Sequence, residues 1–217
     1  MLTTSCSATF EGSVPGASPS PDAVAASEPT PSAEPDPLQR VNAIVIRPTT
    51  AELQADDGSV VASIDYLAPA APAVAMLTDV FEREPEVEDW PGSNHFPPAT
   101  TDDWGGVTVI EARFIDGWED RIPEPIYAIA PTTLRVEADQ VGGVALRTNQ
   151  GFAVGAAWDS LDGDPVFDAD LYTCGGRPVE TATEGDESPT VTVSRSGDAA
   201  DAIGRISAPE VLAEGCA

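Results

Sequence analysis

Three cysteines, one histidine, a run of aspartates and three of the four tryptophans are the residues of this 217-residue sequence whose types suit chemistry. Cys6 stands apart from the others. Cys174 and Cys216 lie in or beside the folded region and leave one even pair. A zinc site asks for more ligands, and the chain has a single His. A thiol nucleophile asks for a base, and only His95 is available. A Cys174–Cys216 disulfide is therefore expected. It would close a loop of about 43 residues and contribute roughly 4 kcal/mol in the chain-entropy account. Such a bridge belongs to an oxidising compartment.

His95 has no G-x-S-x-G elbow to serve, and Ser93-Asn94-His95 reads as a loop tripeptide. The acids Asp159, Asp162, Asp164, Asp168 and Asp170 offer oxygen ligands. However, Gly163 precedes Asp164, the reverse of the order a Ca2+ loop needs, so a solvated acidic loop is expected. No metal and no cofactor is expected. Trp90, Trp104 and Trp118, with His95 in the same region, are the candidate ligand-contact residues: an aromatic platform for a sugar or peptide. Core or loop packing is the commoner role for such tryptophans. Phosphate-binding glycine loops and dinucleotide fingerprints are absent. No catalytic residue stands out, although paired carboxylates are conceivable among 37 acids.

Those 37 acids face 10 basic residues, all Arg, for a net charge of −27. Neutralising phosphates takes clustered cations, so nucleic acid is excluded as a partner, and so is docking by charge on anionic lipid. No apolar run approaches the roughly 18 residues that a spanning helix needs. Met1-Leu2-Thr3-Thr4 has neither the basic nor the apolar region of a signal peptide.

Residues 1–6 read MLTTSC. Residues 7–37 are rich in Ser, Pro, Ala and Glu, with 7 of the 21 prolines between Pro15 and Pro37. After Phe10 no aromatic occurs until Tyr66, so this segment has little to bury against its ordering entropy. Residues 1–38 are thus expected as a disordered tether. The small residues Thr4 and Ser5 ahead of Cys6 are similar to a lipobox, with Thr3 where that pattern has Leu. A Cys, a Pro/Ser/Ala tether and a β-rich domain in that order resemble the mature region of envelope lipoproteins from high-GC Gram-positive bacteria. The resemblance implies lipidation of Cys6 and display on the outer face of the cell membrane. The alternative is a polar tail with an incidental Cys.

Residues 39–217 read as a single domain. VNAIVIR (41–47) is a strand that Pro48 ends. LQADDGSVVASIDY (53–66) is a hairpin turned at Asp57-Gly58, with Val60, Ala62, Ile64 and Tyr66 on its apolar face. Val74, Leu77 and Phe81 fall at helical spacing, which predicts an amphipathic helix over 71–83, stopped before Pro85. Residues 84–105 read as a long connection. Further strands are expected at 106–114, 126–130, 134–138, 171–174 and 190–195, and a helical turn at 208–213. A second hairpin is expected over 144–158. Placing Gly58 on Gly151 suggests an internal duplication of 41–114 and 134–206, though the bulky faces of the two copies fall out of register.

The fold expected is α+β: mainly antiparallel sheet built from hairpins, with one amphipathic helix packed on it. The expected function is a non-catalytic extracytoplasmic lipoprotein, a binding or structural module. It would be anchored to the membrane through lipid on Cys6 and meet cell-wall glycan or an envelope protein. The alternative is a secreted hydrolase acting on cell-wall material through paired carboxylates, which would show two acids converging in one cleft. A binding module would show an exposed aromatic or apolar patch instead.

Overall fold

Asp57 and Gly58 turn the chain where their chemistry says they should. Gly58 takes φ 78°, and the Asp57 carboxylate accepts from Ser59 N at 2.9 Å. Hydrogen bonding from Ser59, its side chain first and its backbone N–H second, holds Asp57 below the ordinary carboxylate range. The turn joins β2 (Thr50–Ala55) to β3 (Val60–Asp65). The pairing slips between Leu53 and Gln54, so the apolar face holds at Ile64 and Tyr66, whereas Val60 stands 52% exposed.

The computed structural model describes residues 36–92, 97–113, 131–162, 176–182, 188–195 and 201–211. The strands expected at 126–130 and 171–174 lie outside them, as do Cys6, His95, Trp118, Cys174 and Cys216. The described residues form an α+β fold, mostly antiparallel β-sheet with a single α-helix.

A 3-10 turn at Pro37–Arg40, with the Asp36 carboxylate accepting from Leu38 N, leads into β1 (Val41–Ile46). Helix α1 (Ala70–Phe81) follows the first hairpin and buries Ala70, Ala73, Leu77 and Phe81 along one stripe. It ends as Glu82 turns left-handed at φ 51° and donates its N–H to Thr78 O. The next strands are β4 (Glu86–Trp90), β5 (Ala99–Asp103), β6 (Val107–Ala112) and β7 (Thr132–Val136). Then come β8 (Gln140–Val141), β9 (Val144–Thr148), β10 (Arg177–Thr181), β11 (Pro189–Arg195) and β12 (Ile203–Val211).

One sheet has the order β3-β2-β1-β9-β8 and the other β10-β11-β12-β7-β6-β5-β4. Among the described pairings only β1–β9 is parallel. Ile44, Leu53, Ile64 and Leu146 of the first sheet share one hydrophobic core with Val109, Leu134, Val193 and Ile206 of the second. Each such fully buried aliphatic side chain contributes about 1.5–3 kcal/mol. Polar bonds also join each of two strands of the second sheet to loops that follow strands of the first. Gln150 Nε2 donates to Val179 O at 2.9 Å, and Thr132 Oγ1 donates to Ala68 O at 2.9 Å.

Three local expectations are corrected. Residues 84–105 are not one connection, for they contain β4 and β5. Residues 208–211 continue β12 instead of forming a helical turn. The glycine hairpin of β9 lies on its other side: Gly142 and Gly143 join β8 to β9, while residues 152–157 form no strand. The segments matched by placing Gly58 on Gly151 therefore differ in local structure after the glycine.

Candidate binding surface

β4 forms from a sequence with weak strand propensity, EVEDW, through full antiparallel pairing with β5, its one partner among the described strands. It is the terminal strand of the seven-stranded sheet, with Glu86 opposite Asp103 and Trp90 opposite Ala99 on β5. All five of its residues are exposed, Val87 to 61% and Trp90 to 38%. Asp89 is tied at 2.9 Å to Arg113, whose Nη2 also donates to Ala99 O at 3.2 Å. Among the described residues neither Glu86 nor Glu88 has an ion-pair partner.

The β5–β6 turn sets the position of this edge. Asp103 Oδ1 accepts from Gly105 N at 2.8 Å and from Gly106 N at 3.3 Å. Behind the turn Trp104 is 1% exposed, its ring 6.0 Å from that of Phe81. Its Nε1 donates to Arg83 O at 3.1 Å, which fixes the chain between α1 and β4.

Beside β4 an open groove of about 480 Å3 runs between α1 and the β5–β6 face. Ala71, Val74 and Thr78 form one wall; Asp102 and Glu111 line the other, with Glu84 at its end. Asp102 and Glu111 lie on one face of neighbouring strands. Burial raises the Asp102 carboxyl above its usual range, and the charge of Glu111 adds to that. Glu111 has a structural task of its own. Pro69, at the N-cap of α1, offers no side-chain cap, and the Glu111 carboxylate accepts from Ala70 N at 3.4 Å. A second open groove, of about 420 Å3, shares Thr78, Asp79 and Glu84 with the first and adds Asp36, Glu82 and Arg83.

The residues singled out from sequence divide sharply. Trp90 stands on the exposed edge. Trp104 is a core residue with no face to offer a ligand. Trp118, His95 and the three cysteines lie outside the described residues. Of the aspartate run, Asp159 and Asp162 fall in and just after a 3-10 turn at Trp158–Leu161. Asp162 accepts from Arg177 at 3.3 Å, while Asp164, Asp168 and Asp170 lie outside the described residues. No group of three or more His, Cys, Asp or Glu able to hold a metal occurs among the described residues. None of the described helices is long and apolar enough to cross a membrane. Sequence reasoning missed the β4 edge, although Val87 alternating with Glu86 and Glu88 carries the period of two that marks a strand.

The chain matches no protein-family model, no curated protein and no solved structure.

Proposed function

We propose that this chain is a non-catalytic extracytoplasmic lipoprotein, a binding module held at the outer face of the membrane through lipid on Cys6. The observation that carries the binding role is β4: a whole edge strand with every side chain exposed and Val87 and Trp90 among them. An exposed apolar and aromatic patch is what a recognition surface presents. The display role is supported by the order of the sequence: Cys6, a Pro-rich tether, then the domain. A stretch of about 30 residues rich in Pro, Ser and Ala separates Cys6 from the domain. The acidic domain is repelled by anionic lipid, so the two acyl chains on Cys6 hold it. Expression from the native locus followed by cell fractionation tests this reading. Wild type is expected in the membrane fraction and Cys6→Ala in the medium; both remaining in the cytoplasm would refute it.

A second reading, a secreted hydrolase of cell-wall material, is favoured by Asp102 beside Glu111 in the α1 groove. It calls for release of soluble wall fragments by the wild-type chain and a loss of at least a hundredfold in Asp102→Asn. The bond from Ala70 N to Glu111 and the openness of the groove give the binding role precedence.

A further inference from the structure

We infer that β4 is a docking edge for an extended basic segment of a partner protein, which joins the seven-stranded sheet as an eighth strand. This rests on the binding-module reading and names the partner class. Glu86, Val87 and Glu88 are all exposed and pair only with β5 among the described strands, so their outer edge is a template for strand addition.

Charge selects the occupant. β4 has three acids in five residues, and Glu84 and Glu82 precede it. Arg113 answers Asp89 alone. A strand laid against β4 faces Glu86 and Glu88 on one side of the sheet and Val87 between them on the other. The complementary sequence is basic–apolar–basic at successive positions, its two cations opposite Glu86 and Glu88. A second copy of this chain fits poorly. Antiparallel self-pairing centred on Glu88 sets Glu88 against Glu88 and Val87 against Asp89, and parallel pairing sets every acid against itself. The tether fits no better, since residues 1–38 contain no Arg or Lys. The other terminal strand that follows a hairpin, β3, has one acid and a partly buried face.

The test uses the full-length chain and the peptide acetyl-Lys-Val-Lys-Val-Lys-amide, followed by calorimetry at low salt. Saturable binding is expected. N-methylation of alternate peptide nitrogens, which keeps the charge but blocks strand pairing, should weaken it at least tenfold. The double variant Glu86→Arg/Glu88→Arg should lose at least tenfold for the same peptide and gain affinity for acetyl-Glu-Val-Glu-Val-Glu-amide. Equal binding of the N-methylated peptide would mean simple charge attraction and would overturn the proposal. So would equal binding by the double variant, no saturable binding at millimolar peptide, or a wild-type dimer that the double variant abolishes. Those outcomes leave the display reading intact, because Cys6-dependent membrane retention is measured separately.

Discussion

Arg47 Nη1 lies 3.1 Å from Glu180 Oε1 and so ties the end of β1 in one sheet to β10 in the other. The same guanidinium reaches Glu52 through Nε at 3.1 Å. Burial raises the Glu180 carboxyl, and Arg47 pulls it back. Arg47→Ala would leave a half-desolvated carboxylate without its cation. A loss of about 1–2 kcal/mol is expected, since a hydrogen bond to a charged group contributes somewhat more than a neutral one. In a double-mutant cycle with Glu180→Gln, followed by urea unfolding, the two losses should sum to more than the loss in the double mutant. Strict additivity would mean that the sheets are not joined here.

Tyr66 faces the same carboxylate. Its ring is fully buried, and among the described residues neither its hydroxyl nor Glu180 Oε2 finds a hydrogen-bond partner within range. Burial, with the charge of Glu180 behind it, drives the phenol pKa far up. Tyr66→Phe removes an unsatisfied polar atom from the core and should raise stability by about 1 kcal/mol. A fall of that size would show that the hydroxyl donates to Glu180 in solution.

Asp102, Glu180 and Glu210 are all raised, with burial the leading cause in each. Between the ordinary carboxylate range near pH 4 and their raised values, the folded chain binds more protons than the unfolded one. Stability from these groups is thus fully present below that ordinary range and is lost as pH rises through the raised values. Self-repulsion at a net charge of −27 acts in the same direction. Thermal unfolding between pH 7 and 5 should show the midpoint rising on acidification. Asp102→Asn with Glu210→Gln should flatten the rise; a midpoint that falls would contradict this sign.

Gly106 has φ 121°, and a Cβ there would sit 2.6 Å from the Ala138 Cβ. Both the backbone conformation and the close approach demand glycine. Gly106→Ala should cost about 1–3 kcal/mol in urea unfolding. Gly143→Ala meets no atom within 4 Å and should cost less, through its φ of 87° alone.

What was legible in the sequence was local. The Asp57-Gly58 turn, the α1 stripe and the strand at 190–195 each carry their signal within a few residues. β4 and β5 were hidden because EVEDW and ATTDD are acidic and polar, and prolines stand between them. An edge hairpin tolerates such residues, since all of β4 is exposed and only Ala99 of β5 is fully buried. The end of β12 reads as helical in sequence because Ala208 and Glu210 suit a helix; pairing with β11 and β7 makes it strand. Of the candidate site, Trp90 was legible as an exposed aromatic. The edge that presents it was not, and Trp104 looked the same in sequence yet went inside.

The parallel pairing of β1 with β9 imposes an order in time. Ala43 meets Ala145, about a hundred residues further along the chain, so β1 has one neighbour until β9 has been made. Until β9 has been made, β1–β2–β3 is a three-stranded unit whose β1 edge lacks its second neighbour. An unpaired inner edge of this kind is a template for wrong pairing until synthesis has passed residue 148. Because that contact spans about a hundred residues, loop closure must be paid before the pairing forms, which slows folding.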